Sequence, residues 1–312
     1  MPSRAPSATG IGSSQIAALV GLHPYRKLLD VFNALAFGVT ARRVAHLAWG
    51  QKVEPAILAY RLEQLGETAQ AMDTRQMVER FGPRYLGGLT VRARSSAIAI
   101  ASADAVLLVR EAWDDPERLR PLETKNVGWT QARHWGDDDD ETPPGYRLQN
   151  LWQQGCLDAD GGGELCATIG GAPPETWPVP WDQATWENLV TIAERFWRNH
   201  VLTRRPPVAL SDDAASADYL RAAFPEEAEG VPLLPAGELE KVIEEWAAAD
   251  DAWASAEKQA RTLERQLCAR IGDGLGFQLG DGRRLTWRAQ NTASGGRTRV
   301  LRMLKAPGTK RR

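Results

Sequence analysis

Long apolar runs are missing from this 312-residue chain: none approaches the roughly 20 residues that a membrane-spanning helix requires, so no membrane partner is expected. Residues 1–10 lack the apolar core of a secretory signal, and the expected location is the cytoplasm. Cysteine is scarce, and Cys156, Cys166 and Cys268 form no CxxC pair. They suit a reducing compartment, where they serve best as small core residues. Net charge is also small, −2 at pH 7, and by itself points to no polyanion. That balance hides an asymmetry: from Arg261 onward there are 13 Lys or Arg against 3 Asp or Glu. The basic end is therefore the expected DNA-facing surface, unless it is a solvated tail, a reading that applies most to Lys310–Arg312.

Apolar residues make up 43% of the chain, enough for a substantial core in one domain with an appendage or in two modest domains. Ile98 to Val109 reads as a mostly apolar strand and Arg120 to Val127 as a second, with a polar loop between them. A hairpin of the two brings Asp104 beside Glu123. Side chains alternate along a strand, so Glu123 and Lys125 point the same way and address one place in space. Two carboxylates there suit Mg²⁺ or Mn²⁺, and an ammonium orients or acidifies an attacking water. Alone, Glu-x-Lys on a strand is an ordinary cross-charge pair, and its neighbours decide its meaning.

Upstream, Trp49 to Pro55 opens a helical run to Leu65, with Glu54 expected in its first turn, where an acid also complements the helix dipole. Downstream, Pro143-Pro144 precede a helix on which Tyr146, Gln149, Trp152 and Gln153 share a face, an arrangement that amphipathic packing also explains. Taken in order, these pieces resemble the YqaJ-type viral recombinase family, the lambda-exonuclease-like branch of the PD-(D/E)xK nucleases. The resemblance extends through Gly12-Ser13-Ser14 to His23-Pro24-Tyr25, through Phe196-Trp197 with Pro206-Pro207, and through Arg299 to Arg302. It implies that Asp104 and Glu123 are metal ligands, that Lys125 is the catalytic lysine, that Glu54 completes the site, and that Gln149 faces it with Tyr146 in support. Two departures stand out. The glycines that usually frame the aspartate are Ala103 and Ala105, and the second helix glutamine, two residues after the first, is Leu151. The cysteine spacing also excludes the iron–sulfur nucleases of the superfamily, which need four thiolates.

The expected architecture is an α/β PD-(D/E)xK restriction-endonuclease-like core, a central mixed sheet flanked by helices, over residues 10–205. A linker-like segment, 206–237, then leads to a basic extension, 238–312, of a long helix and a β-hairpin. Apolar residues from Leu239 through Trp246 and Trp253 to Leu267 recur by threes and fours, the seam of a coiled coil or helical hairpin, so a homo-oligomer is among the expected partners. Gly276–Leu279 and Arg284–Arg288 read as the hairpin, where Arg284, Arg288 and Trp287 either grip phosphates and stack on a base or pack ordinarily. Ser13 and Ser14 at a helix start, with Arg26 nearby, offer a site for a terminal 5′-phosphate beyond their capping role. Asp137 to Asp140 reads as a solvated acidic loop.

The functional expectation is a Mg²⁺- or Mn²⁺-dependent exonuclease that resects linear double-stranded DNA to leave a single-stranded tail for an annealing protein. Its alternatives are a structure-selective or defence endonuclease of the same superfamily, distinguished by cutting circular DNA, and a non-catalytic DNA-binding scaffold, which the intact Asp104, Glu123 and Lys125 disfavour.

Overall fold

A computed structural model describes residues 8–39, 45–110, 116–136, 142–226, 235–291 and 297–305. The acidic loop Asp137 to Asp140 and the tail Lys310 to Arg312 lie outside them. The chain divides into two units, Met1–Glu227 and Ala228–Arg312.

The first unit opens with α1 (Ser13–Leu19), α2 (Leu28–Phe37) and α3 (Ala45–Leu65). After β1 (Ala69–Ala71) and α4 (Thr74–Phe81) come β2 (Tyr85–Gly87), β3 (Thr90–Arg92), β4 (Ile100–Ser102), β5 (Ala105–Val109) and β6 (Arg118–Val127). Then follow α5 (Pro144–Leu157), β7 (Gly163–Ile169), β8 (Glu175–Val179), α6 (Gln183–Phe196) and α7 (Ala214–Ala223). The central sheet has five strands in the order β1-β5-β6-β7-β8. In this sheet only β6 and β7 run parallel, and α5 lies in the crossover that a parallel pair needs; the other pairings are antiparallel. This mixed sheet flanked by helices is the architecture expected from the sequence.

Alternation along the strands gives the sheet two apolar faces. On one, Ala105, Leu107, Leu122 and Cys166 pack under Ile57 of α3. A two-pronged ion pair from Arg61 of α3 to Glu164 of β7 (Nε to Oε1 2.5 Å, a second nitrogen to Oε2 2.9 Å) fixes that helix on the sheet. Along the other face, Val127, Leu165, Ala167 and Trp177 meet Trp135 and Tyr146. A helical layer built around Trp152, Phe32 and Trp186 joins α1, α2, α5, α6 and α7.

Three local expectations are corrected. Ile98 to Val109 is two strands: β4 pairs with β3 in a small second sheet, and the chain crosses into the central sheet as β5. Asp104 stands at the crossing, one residue before β5. Glu54 is not in a first turn, because α3 begins at Ala45 and carries Pro55 inside it, so the dipole reading of Glu54 falls away. The linker-like stretch holds α7, whose Tyr219 packs 5.8 Å from the rings of Phe32 and Phe37 and whose Ala215 carbonyl accepts from Asn33 at 2.7 Å. An aspartate cap explains why that helix forms in a proline-bearing segment: Asp213 accepts from the Ser216 amide at 2.9 Å.

The second unit consists of α8 (Glu240–Ile271) and a three-stranded antiparallel sheet of β9 (Gly276–Gln278), β10 (Arg284–Asn291) and β11 (Arg297–Leu304), in the order β11-β10-β9. The expected long helix and hairpin are present, with β11 as a further strand. Val242, Trp246, Trp253 and Leu263 of the seam are exposed.

Candidate active site

The β5–β6 pairing sets Ala105 against Leu122 and so brings Asp104, one residue earlier, beside Glu123 and Thr124. Asp104 Oδ2 accepts from the Thr124 amide (2.7 Å) and the Thr124 hydroxyl (2.9 Å). Two residues apart on β6, Glu123 and Lys125 meet, the Lys125 ammonium donating to Glu123 Oε1. The same oxygen accepts from the Gln149 amide (2.6 Å), while Oε2 accepts from Gln153 (2.6 Å). Glu123 is 3% exposed, so a strand carboxylate lies buried under a lysine and two helix amides.

α5 supplies those amides because positions 149 and 153 stand one helical turn apart on the face turned to β6. Its amino end is held close by a glycine: a Cβ on Gly145 would lie 2.8 Å from the Leu22 carbonyl, so the loop after α1 seats directly on the start of α5. Tyr146, next along, places its ring 5.1 Å from Lys125 Nζ, a cation–π contact. Trp152 points instead into the helical core and donates to the Ile100 carbonyl at 2.9 Å, so it does not share the site-facing side.

These contacts set the protonation chemistry. Burial raises the Glu123 carboxyl, against the Lys125 charge and the Gln153 hydrogen bond, which favour its ionised form. For Lys125, burial pulls downward but the Glu123 and Asp104 charges outweigh it, and the ammonium is held above its usual value. Glu54 is raised by burial and then by the Asp104 charge, which places its carboxyl within electrostatic reach of the site. His23 is lowered by burial, Arg26 and Lys125. Its Nδ1 accepts from the amides of Tyr25 (3.1 Å) and Arg26 (2.9 Å), leaving Nε2 to carry the proton of the neutral ring.

Among the described residues no three His, Cys, Asp or Glu side chains are grouped closely enough to hold a metal ion. The donor set still fits a hard divalent cation. Mg²⁺ is commonly held by one or two carboxylates, with waters and substrate phosphate filling the rest of its shell. Asp104 Oδ1 takes no hydrogen bond among the described residues.

Of the remaining expected residues, Ser13 is buried and donates its hydroxyl to the Ser102 carbonyl (3.3 Å), a structural commitment, whereas Ser14 is exposed. Arg26 lies on the His23 loop, and Arg284 and Arg288 are exposed in the second unit. Sequence reasoning missed Thr124, His23 and the contact of Gln153 with Glu123. The seemingly lost second glutamine is supplied by Gln153 at helical spacing from Gln149, a signal that the i, i+4 rule carries.

The class that the fold defines is mixed α/β, a central sheet flanked by helices, with an aspartate, a glutamate and a lysine set beside a glutamine-bearing helix. Residues 7–160, just under half of the chain, match the model of the YqaJ-like viral recombinase domain. Comparison with curated proteins gives no match. Among solved structures, an alkaline exonuclease (LHK-Exo) from Laribacter hongkongensis is similar at 16% identity and a TM-score of 0.43, covering 63% of this chain and 89% of that one. A structure described as SSO0001 is similar at 12% identity and a TM-score of 0.31, covering 67% and 91%. No helix among the described residues is long and apolar enough to cross a membrane.

Proposed function

We propose that this protein is a Mg²⁺- or Mn²⁺-dependent deoxyribonuclease that degrades linear double-stranded DNA from its ends and leaves a single-stranded tail. The convergence of Asp104, Glu123 and Lys125 under Gln149 and Gln153 carries this reading. Asp104 and Glu123 would hold the divalent ion, which when bound would supply Lewis-acid polarisation of a phosphoryl oxygen and acidification of a water. Lys125 orients the attacking water and offsets charge that develops on the phosphoryl oxygens. Gln149 and Gln153 donate to the two oxygens of the buried Glu123 carboxyl and fix its direction. Tyr146 confines the Lys125 ammonium by its ring, and Glu54 adds negative potential near Asp104. Ser14 and Arg26 are the candidate contacts for a terminal 5′-phosphate, and a single-strand annealing protein is the implied partner for the product.

Digestion of end-labelled, 5′-phosphorylated linear duplex beside closed circular DNA tests the proposal. Release of nucleotides from linear DNA alone, dependent on Mg²⁺ or Mn²⁺ and lost in Lys125→Ala, is the expected result. Cutting of the circle would replace it with an endonuclease, and binding without cleavage under either metal with a scaffold.

A further inference from the structure

The three-stranded sheet of the second unit has two unlike faces. The β10–β11 register sets Thr286 opposite Arg302, Arg288 opposite Val300 and Gln290 opposite Thr298. Alternation therefore puts Arg284, Thr286, Arg288, Gln290, Thr298 and Arg302 on one face, with Val300 and Leu304 among them. Leu285, Trp287 and Leu301 take the other.

That second face is committed to structure. Leu285 is buried, and the Arg299 guanidinium lies 3.7 Å from the centroid of the Trp287 ring. Arg299 also donates to the carbonyls of Gly272 and Gly274, each at 2.6 Å, just past the end of α8. A cation there satisfies backbone carbonyls that the helix end leaves open. With one side of its ring covered, Trp287 is a packing residue rather than a platform for a nucleobase.

The opposite face has no such internal partner. Arg284, Arg288 and Arg302 are exposed, and among the described residues none of them has a carboxylate within ion-pair distance. The nearby Arg283 is already paired with Asp281 at 2.6 Å. Arg302 is steadied by Gln290 Oε1 at 3.0 Å, which aims a cation without neutralising it. Like charges on one sheet face repel, and diagonal neighbours such as Arg284 and Arg302 stand about 7–8 Å apart. Such a row is compensated best by a row of anions with comparable spacing, and hydroxyl and amide side chains between the arginines are themselves common phosphate contacts.

We infer that the Arg284–Arg288–Arg302 face of this sheet is an accessory DNA-binding surface that grips consecutive phosphates of one strand, while Trp287 and Arg299 behind it hold the sheet on its helix. The inference rests on the proposed DNA substrate and extends it to a second site, outside the nuclease core, that reads backbone and not sequence.

The test is equilibrium binding of the full chain to a 5′-phosphorylated duplex and to a single strand of equal length, in EDTA, over a series of salt concentrations. If all three arginines touch phosphates, the variant Arg284→Gln/Arg288→Gln/Arg302→Gln flattens the slope of log K against log salt by about 2.7 on duplex or about 2.1 on single strand. Whichever DNA shows the change is the one the face holds. A charge-matched control, Lys241→Gln/Lys258→Gln/Arg265→Gln on α8, leaves the slope unchanged, and circular dichroism verifies that both variants fold. Equal slopes in wild type and arginine variant, equal losses in both variants, or no DNA binding by the wild type would overturn the inference. Wild type that binds with the arginine-dependent slope but never cleaves with Mg²⁺ or Mn²⁺ would sink the nuclease proposal alone. Cleavage without the slope change would sink only the accessory surface.

Discussion

Thr124 binds Asp104 twice through a single oxygen, its amide and its hydroxyl both reaching Oδ2. Oδ1 is thereby turned free, and the residue between Glu123 and Lys125 decides which lone pairs the aspartate presents. Thr124→Val keeps the shape and the amide bond but removes the hydroxyl. Loss of such an outer partner to a metal ligand typically costs 10- to 100-fold in affinity or activity, so cleavage should fall by about that factor and recover in part at raised Mg²⁺. A metal titration of the initial rate decides it; an unchanged titration would show that the hydroxyl orients nothing.

Gln153 acts on protonation. Its hydrogen bond favours ionised Glu123, opposing a burial that favours the neutral acid. Gln153→Leu removes one of the influences that oppose burial, leaving the Lys125 charge, so the Glu123 pKa rises further and the working carboxylate is reached only at higher pH. The acid limb of the rate profile should therefore shift to alkaline pH, with the plateau less affected than the limb.

Arg61 and Glu164 are nearly enclosed, with side-chain exposures of 16% and 6%. Removing one partner of a buried pair leaves an uncompensated charge and costs about 3–5 kcal/mol, whereas replacing both by apolar groups is often close to neutral. Arg61→Met should lower the midpoint of chemical denaturation clearly. Arg61→Met with Glu164→Met should recover most of the loss, although Arg120, 3.9 Å from Glu164, also loses a partner in the double variant.

Asp213 caps α7 and meets Lys27 at 3.1 Å, and these hydrogen bonds hold its carboxyl well below the usual 3.8, at about 2. A depressed folded-state value means that its contribution is complete above the unfolded value and disappears as pH falls toward 2. Wild type should thus lose stability between about pH 4 and pH 2 more steeply than Asp213→Ala, which is less stable than wild type at pH 7. Melting temperatures across that range measure the difference.

The parts of the site legible in the sequence were those written in short-range periodicity. Glu123 and Lys125 follow from the two-residue repeat of a strand, and Tyr146 and Gln149 from the helical repeat, because each lies within one element. What crosses elements was not legible. The break at Asp104 depends on β4 pairing with β3 in a second sheet, and Ile98 to Val109 is apolar on both sides of it apart from Ser102. The true start of α3 at Ala45 was hidden because a proline suits the first turn of a helix, and Pro55 therefore drew the expected start toward itself. α7 escaped because its neighbours are proline-bearing, although Asp213 three residues before Ser216 was a readable cap. The two faces of the β10–β11 sheet needed the register, which fixes Arg302 beside Thr286 and assigns Arg299 to the opposite side.

The alternation of β6 limits how this protein can change over generations. Glu123 and Lys125 meet α5 because they stand two positions apart on the strand, while Leu122 and Thr124 turn to the other side. Deleting or inserting one residue within residues 118–122 would turn both charged groups toward Ile57 and bring Leu122 and Thr124 to the side of the glutamines. Lineages carrying this domain can therefore explore β6 by substitution, and can lengthen or shorten the loops beyond it, but a single-codon slip within the strand removes the carboxylate and the lysine together.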